Sequence, residues 1–337
     1  MSATIVTKGG KGTKGSKGSK GGKGTKGGER RTSTRPDQRP GGGPGARRRR
    51  LADQAAGWSF AGPSTLLVLG FSLLPMGWAF RLSLTDSDLV TGGQSVGTAN
   101  YKALAHDPVF WKSIRNTGEL IGLYIPISLL LGLAVALLLN KPIKGIGFYR
   151  ACFLVPFVAS AAAEGLLMAF VFDKDFGAVN GLLSRTGLPT QGFLDDPSQA
   201  MFVITGIFIW TQFGFNVVIY LAALQEIPKE VLEAAAIDGA GPWRTFRHIV
   251  VPGVRPISLF LAVWGLIDCL QFFDLLLTTT KGGPVNSTIT IVYYVWQLAF
   301  EYFTAGYGAA VAYALFVASL VAIVIGLVFG RRKGFLL

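Results

Sequence analysis

The sequence predicts an all-α integral membrane protein with six transmembrane helices, and three observations predict it. Half of the 337 residues are hydrophobic and only 15% are charged, well below the roughly 25% typical of soluble domains. Apolar runs recur at 54–80, 120–140, 151–172, 197–225, 256–280 and 302–330, each near the length of about 20 helical residues that crosses a hydrocarbon layer about 30 Å thick. The charge is also unevenly placed. Residues 1–50 hold 15 Lys and Arg against 2 acids, and residues 51–337 hold 17 of each, so the net +13 belongs to one tail.

That tail repeats Lys-Gly-small from Lys8 to Lys26 and becomes Arg/Pro/Gly-rich through Arg50. It has almost no apolar surface to offset the entropy of ordering, so residues 1–50 are expected to be a disordered basic tail. A glycine at every third position from Gly9 to Gly27 lacks the proline of a collagen repeat. Attraction to anionic headgroups or nucleic acid is the alternative use of such a tail. A basic region this long, followed by an apolar run longer than a signal-peptide core, predicts that the first helix is retained.

The runs 54–80, 120–140, 197–225 and 302–330 contain no charged residue, whereas the third contains Glu164 and the fifth Asp268 and Asp274. An isolated carboxylate is expensive against lipid, so these two runs are expected to face protein or water. Pro63 and Pro75 leave the first run a re-entrant alternative. The connections 85–118, 173–196 and 281–301 carry six Lys and Arg, against ten in 141–150, 226–255 and 331–337. Positive charge is held on the cytoplasmic side, so both termini and the 226–255 segment are expected there. Cys152 and Cys269 fall inside apolar runs and read as small hydrophobes.

Between the fourth and fifth runs lies LEAAAIDGAGPWRTFRHIVVP, residues 232–252. Ile227-Pro228 fits a helix start, Glu230 and Glu233 suit its positive end, and Ala234, Ala235 and Ala236 favour continuation. Gly239 and Gly241 stop that helix; Pro242 begins a second, expected to run to about Val251 and to end at Pro252. Trp243, Phe246 and Val250 form one apolar stripe, with Arg244, Arg247 and His248 on another face. The stripe suits a membrane surface or a groove on a soluble partner.

Glu233-Ala234-Ala235, three residues, Gly239, nine residues, Ile249, one residue, Val251 and Pro252 resemble the EAA signature of permease subunits in bacterial ABC importers, with Val251 where the pattern usually has Leu. NYKAL at 100–104, FWKSIRNT at 110–117, GFYRACFLVP at 147–156, FGAVNGLL at 176–183, FFDLLLTTTKGGP at 272–284 and GYGAAVAYALF at 306–316 are similar to segments of carbohydrate-type permeases, in the same order. The resemblance covers most of residues 51–337. It implies the type I importer permease fold, with two homologous permease subunits packed as a heterodimer in the cytoplasmic membrane. It further implies a cytoplasmic ATPase dimer, an extracytoplasmic solute-binding protein and a carbohydrate cargo. Glu233, Ala234, Ala235, Asp238, Gly239, Trp243, Phe246, Ile249 and Pro252 would then form the loop that couples to the ATPase. No phosphate loop, metal cluster or nucleophile motif occurs in the sequence, so no cofactor is expected and ATP hydrolysis is expected on a separate subunit.

In that family the cargo site is built mainly by the crossings flanking the coupling loop. Gln212, Phe215, Asn216 and Ile219 share a helical face here, as do Trp264, Asp268, Gln271 and Phe272. Aromatic faces mixed with amides and a carboxylate suit sugars, although Gln212 and Asn216 are equally suited to hydrogen bonds inside a helix bundle. Asp274 resembles the aspartate of the family's FD…GGP stretch, with a structural or gating role implied; the pattern does not demand a carboxylate at Glu164, also expected to be structural or gating, for which pairing with a Lys or Arg of the second permease subunit and protonation are both open. A proton relay through Glu164, Asp268 and Asp274 would make an ion-coupled carrier, and a membrane-anchored binder acting through the basic tail is the remaining rival.

Overall fold

The computed structural model describes residues 44–88, 90, 92–141 and 145–332. The chain divides into a unit ending at Leu66 and a unit from Leu67 onward, and the second holds every element after α1. The expected tail over 1–43 lies outside the described residues. The first described helix, α1 (Pro44–Ser83), begins at Pro44. Proline suits a first helical position and the run Arg47–Arg50 consists of good helix formers, so the helix extends below the apolar stretch that marks the crossing.

After α1 the chain forms α2 (Ala99–Ala105) and α3 (Pro108–Leu139). The third apolar run is not one rod. It splits into α4 (Ile146–Val158) and α5 (Ala161–Val171), bent by 96° at Ala159 and Ser160. Then follow α6 (Ala178–Arg185), α7 (Ala200–Gln225), α8 (Lys229–Ile237) and α9 (Pro242–Thr245), and a π-turn over Phe246–Val250 leads into α10 (Val251–Leu270). The chain closes with α11 (Asp274–Thr278), α12 (Ile291–Trp296), a second π-turn and α13 (Ala305–Arg332).

Among the described residues, Ala61–Ser83, Pro108–Leu139, Ala200–Gln225 and Pro242–Leu270 are long and apolar enough to cross a membrane. The bent α4–α5 pair makes a fifth candidate, and Ala305–Val321 is a shorter apolar segment. The fold is therefore all-helical with four to five clear spans. Packing centres on α3 against α7. Gly132 lets the two approach, since a Cβ there would stand 3.0 Å from Cβ of Asn216. One core cluster includes Leu120, Tyr124, Ile204, Phe208, Leu276 and Val311, and a second gathers Ala136, Tyr220, Leu224, Val254 and Leu261.

Pro252 does not end a helix. Pro242–Leu270 runs on as a single 29-residue span through it. Proline cannot donate a hydrogen bond and its ring crowds the preceding turn. The π-turn just before it absorbs both effects, because the Val251 N–H already reaches back five residues to Phe246 O and the turn is locally widened.

One polar node ties three helices together. Asp107 caps α3 by accepting from the Val109 and Phe110 N–H groups at 2.8 and 3.2 Å. Its other oxygen accepts from the hydroxyls of Tyr294 on α12 and Tyr307 on α13, at 2.6 and 2.7 Å. Burial opposes ionisation of Asp107, but these four donors outweigh it and hold the carboxyl below the ordinary carboxylate value. A depressed pKa means that the node contributes stability above the unfolded value of about 3.9, and that this is lost as pH falls through the lower folded value. Tyr294→Phe with Tyr307→Phe should therefore lower the melting temperature at pH 7 by the equivalent of about 2–4 kcal/mol, from two charge-assisted hydrogen bonds. The difference from wild type should shrink as pH falls below the unfolded value of about 3.9; an equal difference at neutral and at strongly acidic pH in thermal scans contradicts the assignment.

Candidate functional site

An interior cavity of about 240 Å³ lies where two helix breaks meet. The α4–α5 bend contributes Pro156, Phe157, Ala159, Ala161 and Glu164. The α10–α11 break contributes Asp268, Gln271, Phe272, Phe273, Asp274 and Leu275, and α7 closes the wall with Phe208, Thr211 and Gln212. Backbone that leaves helical geometry at membrane depth is tolerated where it is covered by protein or faces a wet cavity. Both interruptions satisfy that condition at one place. Pro156 and Ser160 are the local cause of the first, and Gln271–Phe273 separate α10 from α11 in the second.

Two close approaches hold the bend against its neighbours. Gly214 of α7 lies against the backbone of Phe153 and Leu154 on α4, and Gly165 of α5 lies against the Thr278 side chain of α11. Aromatic rings continue the contact beyond the cavity. Phe157 stacks on Phe215 with centroids 5.2 Å apart and planes 24° apart, Phe215 meets Trp264 at 5.5 Å, and Trp264 meets Phe260 at 6.2 Å.

The polar lining is underused by the protein itself. Glu164 is only 6% exposed, and its Oε1 has no hydrogen-bond partner; the same is true of Gln212 Oε1 and Asp268 Oδ2, both buried atoms. Such groups carry a desolvation penalty unless something in the space beside them donates to them. Thr211 is satisfied, giving its hydroxyl to Phe208 O at 2.9 Å.

The structure thus brings Gln212, Asp268, Gln271, Phe272, Asp274 and Glu164 to one cavity. It does not bring Asn216 there: one turn beyond Gln212, α3 replaces the open space, and Asn216 is buried at the α3–α7 contact. Phe215 and Trp264 support the wall through the ring stack rather than lining it. Sequence reasoning missed Phe157, Thr211 and the bend that exposes them, for which Pro156 and Ser160 inside an apolar run were the available signal.

The second site is an elbow. Helix α8 ends with Asp238 N–H bonding to Ala234 O and Ala240 N–H to Ala235 O, both at 2.9 Å. The chain reverses through Gly239 at φ +72°, a left-handed conformation that glycine adopts without strain. Gly241 is extended, and Pro242 occupies the start of α9. The elbow shows apolar surface outward, with Ile237 86% and Trp243 70% exposed. Trp243 packs on Phe246 at 5.6 Å. Glu233, Ala234 and Asp238 are exposed, and Ala235 and Ile249 are half-buried. Pro252, placed at the helix end by sequence, lies inside the continuous helix.

Residues 125–333 match the family described as the inner membrane component of binding-protein-dependent transport systems. The chain is 36% identical over 264 residues to a probable ABC transporter permease protein of Pyrococcus horikoshii, covering 77% of this chain and 90% of that one. It is 35% identical over 266 residues to the lactose transport system permease protein LacF of Rhizobium radiobacter, covering 77% and 88%. Identity to the sn-glycerol-3-phosphate transport system permease protein UgpA of Pectobacterium atrosepticum is 32% over 242 residues, covering 71% and 81%. A solved bacterial ABC transporter for alginate import superposes with a TM-score of 0.73 at 23% identity, over 84% of this chain and 99% of its own. The chain belongs to the family of membrane permease components of binding-protein-dependent ABC transporters.

The tight α4–α7 approach generates a prediction. Gly214→Val should destabilise the protein by about 1–3 kcal/mol, because backbone on the facing helix cannot move aside as a flexible side chain can. Thermal unfolding of the detergent-solubilised protein measures it, with Gly206→Val as control, since a Cβ at Gly206 meets nothing within 4 Å. Equal effects of the two substitutions contradict the packing assignment.

Proposed function

We propose that the chain is one of two permease subunits of an ATP-driven importer that moves a sugar or related carbohydrate through the cytoplasmic membrane. The observation carrying this reading is the pairing of an exposed apolar elbow with a polar-lined cavity on one continuous helix. Pro242–Leu270 begins at the elbow and ends at the cavity wall. At about 1.5 Å rise per residue that helix is roughly 40 Å long, enough to carry a displacement across the bilayer.

In this reading both termini and the elbow are cytoplasmic, and the α4–α5 pair and α13 bring the four long spans to six crossings. Ile237, Trp243 and Phe246 seat in a cleft of a cytoplasmic ATPase dimer, with Glu233, Ala234, Ala235, Asp238 and Gly239 fixing the shape of the knob and Ile249 and Pro252 joining it to α10. ATP binding draws two such elbows together, and rigid tilting of the bundles exposes the cavity alternately to the two sides. A solute-binding protein delivers cargo from outside; one of the alginate transporter structures, matching at 22% identity, is a complex with a pentasaccharide-bound periplasmic protein. Relatives named for lactose, sulfoquinovosyl glycerol and glycerol phosphate support a carbohydrate class of cargo.

The chain's own residues bind and move cargo, while hydrolysis belongs to the partner. Gln212, Gln271 and the carboxyls of Asp268 and Glu164 offer hydrogen-bonding edges, and Phe208 and Phe272 offer apolar faces, which together match the two kinds of surface on a pyranose. Gly239→Val tests the coupling. A β-branched residue at positive φ is strained by about 1–3 kcal/mol, so the elbow should deform. ATP-driven uptake in proteoliposomes should fall at least about ten-fold while the permease stays folded, and the ATPase should either dissociate or hydrolyse ATP without transport. Wild-type uptake with the ATPase still bound and coupled would falsify the assignment.

A further inference from the structure

The cavity wall has an unusual chemical bias. Three carboxyls line it, Glu164, Asp268 and Asp274, and its described lining contains no Lys, Arg or His. Three acceptor oxygens in it, Glu164 Oε1, Gln212 Oε1 and Asp268 Oδ2, are buried and unpartnered, and Glu164 is more than nine-tenths buried. The side-chain donors on the wall are the uncharged amides of Gln212 and Gln271, the Thr211 hydroxyl being already given to Phe208 O. Two helix starts face this space, those of α5 and of the short α11, and each already carries a carboxyl in its first turn, Glu164 and Asp274.

From this acceptor-rich, cation-free wall we propose that the cavity selects donor-rich saccharides that are neutral or carry an amino group, and rejects acidic ones. The proposal rests on the transport reading above and adds the charge class of the cargo. A sugar hydroxyl or ammonium donates to the open oxygens and removes their desolvation penalty. A uronate or phosphorylated sugar brings a second set of acceptors. With Glu164 and Asp268 ionised it meets like charge; with them protonated it still finds no cation to pair with in a low-dielectric site. Discrimination of this kind comes from the unfavourable partner as much as from the favourable one. The chain thereby differs in expected cargo from relatives named for glycerol phosphate and sulfoquinovosyl glycerol, although their sequences align over most of its length.

The test uses the assembled importer in lipid nanodiscs without its binding protein, so that only the permease selectivity is read. Equilibrium binding of radiolabelled glucose, glucosamine and glucuronate compares one ring in three charge states. The expected order is glucosamine at least as tight as glucose, with glucuronate weaker than glucose by at least about ten-fold. In Glu164→Gln with Asp268→Asn the glucuronate gap should close to about three-fold or less, and the glucosamine advantage should vanish. Glucuronate binding as tightly as glucose in the wild type overturns the proposal, as does a gap unchanged in a folded double variant. If the double variant does not fold, the wild-type order decides alone. Binding of none of the three sugars overturns the cavity as cargo site, whereas loss of the charge preference with sugar binding retained overturns the selectivity alone and leaves the importer reading standing.

Discussion

A backbone inside a bilayer has to find partners for its N–H and C=O groups within the protein or in enclosed water, and the rest of this structure follows from how the chain meets that demand. Unbroken helices meet it at α3 and α7, which pack closely over Gly132. Two other elements fail to meet it alone: the α4–α5 pair turns through 96° at Ala159 and Ser160, and α10 stops at Leu270 before α11 begins. Each break lies on the wall of the same cavity, so the exposed backbone of both is served by one polar, accessible space. The unpartnered oxygens of Glu164, Gln212 and Asp268 lie there because that is the place in the spans where polar groups are tolerable.

The elbow and the cavity are joined by the way the chain passes Pro252. As a terminator, Pro252 would separate the short helix at the elbow from the span that follows. Absorbed by the π-turn at Phe246–Val250, it instead leaves a 29-residue rod with Trp243 near one end and Asp268 near the other. One continuous helix therefore carries the exposed indole at one end and the acceptor-lined wall at the other. Gly239 supplies the sharp reversal that holds the knob away from the rod, and the fold needs glycine's freedom there more than its small size, because a Cβ at that position would meet nothing within 4 Å.

Much of this was legible in sequence for identifiable reasons. Length and apolarity located the long helices, because spanning length is set by bilayer thickness. Glycine and proline punctuation located the α8–α9 turn, because left-handed backbone and a missing N–H have few acceptable positions. Charges inside apolar runs pointed to Glu164, Asp268 and Asp274, since a carboxylate needs a polar surrounding wherever the helix lies. What remained hidden depended on tertiary contact. The bend after Pro156 needs α11 and α7 to cover it, and the burial of Asn216 depends on α3 arriving through Gly132. The four-donor node at Asp107 joins residues 200 positions apart in sequence, Tyr307 lying on α13.

The central claim is that the two helix breaks enclose a water-accessible cargo space rather than a dry internal gap. The most direct measurement is modification of a single cysteine in Gln271→Cys, in a background with Cys152→Ala and Cys269→Ala, by a cationic water-soluble methanethiosulfonate on the assembled importer. The account predicts rapid labelling that is slowed by glucose and that changes rate between nucleotide-free and ATP-bound states. Absence of labelling in every nucleotide state, with a lipid-soluble thiol reagent still reacting, would contradict it.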